Sequence, residues 1–235
     1  IVAAIYALAT ASNEILLFPS GAVPGDGGTM VLHRRGDELL IRVDGQDLMS
    51  TRMHSSEDAL ADLAFDRLDG RPGMRALIGG LGMGFTLAAA LRRLPPDGVA
   101  VVAELVPVVI EWNRGPLADA ANRPLEDART SVHQGDVSEL IREPGGGWDA
   151  ILLDVDNGPD GLTRSSNNWL YGKKGLGAAF AALRPGGVLG VWSASPDDAF
   201  TRRVQQAGFD VEPIKVRARG KKGSRHVVWI GVRPG

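Results

Sequence analysis

Ala76-Leu77-Ile78-Gly79-Gly80-Leu81-Gly82-Met83-Gly84-Phe85-Thr86 is the stretch on which the fold turns. Ala76-Leu77-Ile78 reads as a short buried strand, Gly80 to Gly84 as a tight turn, and Thr86 to Leu91 as the helix that follows. A glycine turn after a first strand lets backbone approach a ligand closely, as nucleoside-binding α/β sheets require. The spacing is G-x-G-x-G, with Phe85 where the dinucleotide fingerprint needs its third glycine. Taken alone, the turn fits a plain strand-to-helix connection as well as a cofactor loop.

Working outward, strands and helices alternate. Val99 to Ala103 is a second strand, Val106 to Asn113 a helix, Ser131-Val132-His133 a third strand and Asp149 to Leu153 a fourth. Gly175 to Leu183 is helical, closed by Arg184-Pro185-Gly186-Gly187, and Val188 to Trp192 is a fifth strand. Such alternation needs a parallel sheet with helices on both faces. Asp198 to Ala207 is then helical, and Phe209 to Val216 and His226 to Val232 form a hairpin around Arg217 to Ser224. Upstream, Thr29 to His33, Glu38 to Val43 and Gln46 to Met49 are strand-like runs separated by Arg35-Gly36-Asp37 and Asp44-Gly45, a small antiparallel unit. Glu57 to Leu68 carries apolar residues at helical spacing. The expected fold class is therefore α/β and Rossmann-like: a mostly parallel seven-stranded sheet ending in an antiparallel hairpin, as class I methyltransferase-like folds end. Residues 1–54 are expected as an N-terminal segment with the small β unit, and 55–235 as the catalytic domain.

Composition narrows the partners. The 235 residues, 44% of them hydrophobic, suffice for one large core. A formal charge of -2 and a pI near 6.1 give no global attraction to nucleic acid. The dense basic run Lys215, Arg217, Arg219, Lys221, Lys222, Arg225 and His226 has no interleaved aromatics for base stacking and reads as a solvated hairpin loop. Cysteine is absent, which excludes disulfides, thiolate metal sites and cysteine nucleophiles. Ile1 to Ser12 is apolar and contains Ala9-Thr10-Ala11, superficially like the end of a signal peptide, but it has no basic n-region and is too short to span a bilayer. It is expected as a packed helix or a segment added for expression, and the lack of an initiator methionine suggests numbering that starts inside a longer chain. No membrane association is expected, and the expected location is cytoplasmic.

Acids stand at the ends of successive strands. Glu104 lies 20 residues beyond Gly84, after Val101-Val102-Ala103, where a carboxylate can accept from both hydroxyls of a ribose. Asp136 follows the third strand and could accept from an adenine amino group; it equally suits the N-cap of the helix opening at Val137. Asp154 ends Ile151-Leu152-Leu153 on the carboxyl edge, where ligands bind in open α/β sheets.

These residues resemble the spermidine synthase-like branch of the class I S-adenosylmethionine-dependent transferases, over roughly residues 29–233. Ile78 to Gly84 looks like that family's glycine loop, Glu104 like its ribose acid, and Gly135-Asp136 like its adenine-contacting pair. Asp154-Val155-Asp156-Asn157-Gly158-Pro159 resembles its catalytic acidic loop, and Leu170-Tyr171 the segment before the next helix. The resemblance implies cofactor contacts at Gly80, Leu81, Gly82, Gly84, Glu104, Leu105, Asp136, Val137 and Asp154. It implies acceptor contacts at Glu57, Asp58, Trp169 and Tyr171. The departures matter too: aminopropyltransferases carry an acid inside the glycine loop, where Gly82 stands here. Asn157 occupies the place of the loop's second acid, unless a gap shifts Asp156 into it, and Ser56 falls where a tyrosine is usual.

Transfer from a sulfonium to an amine needs a neutral nucleophile, and a nearby carboxylate can orient the nitrogen and take its proton. Asp154 suits that role, with Asp156 and Asn157 positioning the acceptor; capping of a solvated loop is the plainer alternative for these residues. Asp160 to Lys174 could close as a lid lined by Trp169 and Tyr171, although aromatics ahead of a helix also serve to anchor it. His54 reads as a surface or capping residue. The expected function is a transferase using S-adenosylmethionine or its decarboxylated form, without a metal, to alkylate a small amine-bearing acceptor. A small-molecule methyltransferase, an NAD-linked oxidoreductase and a non-catalytic nucleoside-binding protein are the alternatives. A homodimer is what the resemblance implies for assembly.

Overall fold

The structure, a computed structural model, describes residues 14–22, 28–143, 145, 147–155, 168–220 and 222–235. Ile1 to Ser12 lies outside the described residues, as do Asp156, Asn157, Gly158, Pro159, residues 160–167 of the expected lid and Lys221.

Four antiparallel strands come first: β1 (Glu14–Ala22), β2 (Thr29–Arg35), β3 (Glu38–Val43) and β4 (Gln46–Ser50). The last three match the turn chemistry of the sequence, with Gly36 and Gly45 at φ 60° and 82°. Strand β1 was not expected, because Pro19, Ser20 and Gly21 interrupt its apolar run; a register shift between Leu17 and Gly21 accommodates them on the sheet edge. Helix α1 (Ser55–Phe65) follows.

The alternating part begins with β5 (Arg75–Gly79), α2 (Phe85–Arg93), β6 (Val99–Glu104) and α3 (Pro107–Arg114). It continues with β7 (Thr130–Gln134), α4 (Val137–Arg142), β8 (Trp148–Leu153), the short α5 (Asn168–Tyr171) and α6 (Lys173–Ala182). It ends with β9 (Leu183–Ser193), α7 (Asp198–Gln206), β10 (Asp210–Arg219) and β11 (Lys222–Val232). The sheet order is β10-β11-β9-β8-β5-β6-β7, with β5 to β9 parallel and the β10–β11 hairpin antiparallel on β9. Central strands buried on both faces read as unbroken apolar runs, which is why Ala76-Leu77-Ile78 and Ile151-Leu152-Leu153 show no alternation.

Successive residues of β5 point to opposite faces. Ile78 joins a core with Leu60, Leu87, Val102 and Trp112, and Leu77 one with Ile151, Leu176, Phe200 and Trp229. Met30, Leu32 and Ile41 of the small sheet belong to the Ile78 core, so the small sheet packs its apolar face beside the glycine turn. Among the described residues no helix is long and apolar enough to cross a membrane.

Two local expectations need correction. Arg184 to Gly187 does not close α6; it is already part of β9, held by Gly186 N–H to Arg233 O (2.9 Å) and Arg233 N–H to Gly187 O (2.8 Å), a partner 46 or more positions away. Arg217, Arg219, Lys222 and Arg225 are not in a loop, because the ladder runs from Arg217 opposite Arg225 to Arg219 opposite Lys222 across a bulge.

Candidate functional site

Between β5 and β8 the strand order reverses, and such a switch point opens a crevice at the carboxyl ends of the strands. Backbone bonds continue past the strand ends: Asp154 N–H to Gly79 O (2.8 Å), Gly80 N–H to Ala103 O (2.9 Å) and Gly135 N–H to Glu104 O (3.0 Å). They set Gly80, Glu104, Asp136 and Asp154 around one cavity of about 470 Å³. Gly80 has φ 89°, and a Cβ there would stand 2.3 Å from the Asp154 carbonyl oxygen, so only glycine permits this approach.

Glu104 is buried at the end of β6. Its Oε2 accepts from Leu81 N–H at 2.9 Å and its Oε1 from Val106 N–H at 2.8 Å. Burial raises its pKa, opposed by those amide bonds. The amides of Gly82 and Leu105 stabilise the same carboxylate, which lines the cavity. Asp136 caps α4 through Oδ1, which accepts from Ser138 N–H at 2.8 Å, and the residue also lines the cavity.

A second carboxylate stands with Asp154. Glu57, on the first turn of α1, is buried and lines the same cavity. Burial, with the Asp154 charge next, pushes its carboxyl up to about 7. Burial pushes Asp154 up to about 6, opposed by the hydroxyl of Thr86, which donates to Oδ2 at 2.6 Å. Two acids facing one cavity, Glu57 buried and Asp154 half-buried, cannot both ionise cheaply, so near neutral pH the pair retains a share of a proton. On the other side of Glu57, Ser56 Oγ donates to Oε2 at 2.6 Å, and His226 Nδ1 lies 2.9 Å from that Oγ.

No family model and no curated protein sequence matches this chain. Solved structures do. A spermidine synthase in complex with the transition-state analogue AdoDATO aligns over 93% of this chain and 72% of its own, with a TM-score of 0.73 at 18% identity. The spermidine synthase from Thermotoga maritima aligns over the same shares, with a TM-score of 0.74 at 17% identity. This chain has the spermidine synthase-like fold.

Within the spermidine synthase-like fold of this chain, Gly80, Gly82, Glu104, Leu105, Asp136, Val137, Asp154 and Glu57 line the cavity together. Leu81 serves through its N–H on Glu104, and Gly84 starts α2 at φ 85°. Asp58 is not among the lining residues: its carboxylate meets His54 Nδ1 at 2.6 Å and Arg92 at 3.1 Å. His54 supplies no side-chain cap and stacks on Phe85 at 4.1 Å between ring centres. Trp169 lies under the Arg142 guanidinium at 3.8 Å, and Tyr171 is buried with its hydroxyl donating to Val155 O at 3.1 Å. Both aromatics are therefore anchored by protein groups, and Leu170 between them lines the cavity instead.

Sequence reading missed several contributors. Thr86 carries no motif by itself, and Ser56 stands out only as the residue in the place of a usual tyrosine, not as a partner of Glu57. Asn113, buried on α3, donates to Gly82 O at 2.8 Å and holds the glycine turn from behind. Met30, Ile41, Val43, Leu48, Met49 and Met53 give the cavity an apolar wall from the small sheet and its exit. The alternation of β2 and β3 marks one buried face, but not what that face covers.

Proposed function

We propose that this protein is a transferase that alkylates a small amine-bearing acceptor, using S-adenosylmethionine or its decarboxylated form as donor. The observation that carries this reading is the juxtaposition, in one cavity, of a ribose-suited carboxylate on a glycine turn with a proton-sharing acid pair. Gly80 without a Cβ and Glu104, a carboxylate held by backbone amides at the cavity wall, fit an adenosyl group. Asp136 supplies an acceptor for the adenine amino group, and Leu105 and Val137 supply apolar surface beside it. When bound, the sulfonium supplies an electrophilic carbon whose bond to sulfur breaks as the acceptor nitrogen attacks, the electron pair leaving with a neutral thioether.

The residues of the chain handle the proton. Asp154, at the end of β8, takes the proton from the attacking nitrogen, and Thr86 fixes its orientation. Being pushed up to about 6 and about 7, Asp154 and Glu57 are stronger bases than ordinary carboxylates. The acid pair also favours a cationic acceptor. Gly82 presents bare backbone at φ 51° where the resemblance implies an acid for the amine of the decarboxylated donor. That observation favours methyl transfer from S-adenosylmethionine itself as the second reading.

Calorimetry with S-adenosylmethionine, its decarboxylated form, methylthioadenosine and NAD tests the donor class. Binding of at least one sulfur nucleoside, and none of NAD, is expected; no binding of any sulfur nucleoside would overturn the reading. Mass spectrometry of reactions with putrescine and spermidine then separates a gain of an aminopropyl group from a gain of a methyl group.

A further inference from the structure

Beside the acid pair, a chain of hydrogen bonds runs along the cavity wall to His226, which lines the same cavity and is partly exposed. Glu57 Oε2, Ser56 Oγ and His226 Nδ1 are joined at 2.6 Å and 2.9 Å. Glu57 and Ser56 are buried, whereas His226 is half-buried on the hairpin and packs edge-on against Trp192 at 4.7 Å. Resting on the transferase reading above, we propose that Ser56 and His226 form a proton relay that resets the carboxyl pair after each transfer.

Hydrogen-bond counting gives the relay two states. A serine hydroxyl has one hydrogen and can accept another, and a neutral imidazole carries its hydrogen on one nitrogen. With Glu57 protonated, its O–H donates to Ser56 Oγ, Ser56 O–H donates to His226 Nδ1, and the imidazole carries its hydrogen on Nε2. With Glu57 ionised, Ser56 O–H turns to the carboxylate, and His226 must donate from Nδ1. Passage between them moves one proton along the chain. Glu57 gives its hydrogen to Ser56 Oγ, the hydroxyl gives its own to Nδ1, and the imidazolium so formed loses the Nε2 hydrogen to water. Atoms and charge balance without any co-reactant. Burial lowers the His226 pKa, so the imidazolium is short-lived and releases its proton.

The charged surroundings are few. On α1, Asp58 is occupied by His54 and Arg92. From β8 comes Asp154, and Glu104 and Asp136 line the same cavity. Lys215 and Arg217 of β10 border a separate groove with Ser55, and Arg225 precedes His226 on β11.

Nitrogen-15 NMR of the full chain, labelled at its four histidines, reads the relay without any substrate. Between about pH 6 and about pH 9, neutral His226 is expected to change from the Nε2–H to the Nδ1–H tautomer as Glu57 ionises. Glu57→Gln is expected to hold one tautomer throughout, and Ser56→Ala to uncouple the tautomer from the carboxyl titration. A single His226 tautomer across the range in the unaltered protein overturns the relay. Once an acceptor is known, Ser56→Ala should lower kcat about tenfold at unchanged KM, less than the ~10²–10⁴-fold expected for loss of the base itself. A tautomer switch without alkyl transfer would reject the transferase reading and leave the coupling standing; transfer without the switch would do the reverse.

Discussion

Thr86 Oγ1 donates to Asp154 Oδ2 at 2.6 Å, joining the first turn of α2 to the end of β8 directly beneath the cavity. The same hydroxyl stands 3.4 Å from the Glu57 carbonyl oxygen, so a single side chain meets both residues of the acid pair. Its shorter bond tempers the ionisation of Asp154, because it stabilises the carboxylate against the burial that raises it.

Thr86→Val keeps the shape and removes the donor. Asp154 should then titrate higher, by about one pH unit, since a hydrogen bond to a charged group is worth roughly 1.5–3 kcal/mol. Carbon-13 NMR of the aspartate carboxyls measures this with no substrate present, and an unchanged or lower Asp154 midpoint would count against the assignment.

Stability should vary with pH through Glu57. Its folded pKa of about 7 lies above the ordinary 4.5, so the folded state holds this proton more tightly than the unfolded chain. The resulting stabilisation is complete below about pH 4.5 and is lost as pH rises through 7. Glu57→Gln removes that dependence. Relative to the unaltered protein, the variant should gain stability between pH 5 and pH 8 by on the order of 3 kcal/mol, read from urea midpoints. A relative loss over that interval would contradict the raised pKa.

Gly80 and Gly36 both have positive φ, at 89° and 60°, but only Gly80 has a neighbour in the way. Gly36→Ala should cost roughly 1–2 kcal/mol from conformation alone. Gly80→Ala must also displace the Asp154 carbonyl, and should cost at least about 2 kcal/mol more while abolishing nucleoside binding. Thermal melts of the two variants side by side decide it, with equal losses as the adverse outcome.

Glu104→Gln tests the ribose carboxylate. Glutamine offers one acceptor where two backbone N–H groups, of Leu81 and Val106, now each find an oxygen. One amide is left facing an N–H, and the cavity loses a charged acceptor. Affinity for an adenosyl ligand should fall about a hundredfold, near 2.7 kcal/mol, and calorimetry showing unchanged affinity would remove Glu104 from the binding site.

The fold was legible because its decisive signals are local. Gly80, Glu104, Asp136 and Asp154 each sit at the end of a strand whose apolar run can be read in a few residues, and parallel pairing brings those ends together. What stayed hidden depends on distant partners. His226 and Ser56 are 170 positions apart, and nothing in either neighbourhood announces the other. His226 was read with the basic run around it, yet it stands opposite Val216 on the hairpin face that borders the cavity. Glu57 was legible as an acid near the acceptor, but its ionisation follows from burial and from Asp154, which only packing supplies. Strand β9 begins early for the same reason: the C-terminal Arg233 pairs with Gly186 and Gly187 and draws a turn sequence into the sheet.

Gly82 leaves the most consequential choice to a single substitution. Its φ of 51° is in the left-handed region, which aspartate tolerates better than most residues. The nearest obstacle to a Cβ is Met49 Cε at 2.8 Å, the free end of a flexible side chain that can turn aside. Gly82→Asp should therefore fold, with a carboxylate on a residue that lines the cavity beside Gly80 and Glu104. An amine-ended donor gains a charge-assisted partner there, while a donor ending in an amino acid brings its own carboxylate against the new one. The ratio of affinities for decarboxylated over intact S-adenosylmethionine should rise by about tenfold or more, equivalent to at least ~1.4 kcal/mol. Competition calorimetry on a variant with an undiminished melting temperature measures that ratio, and a ratio equal to that of the unaltered protein would mean that the donor's amine end does not lie at this turn.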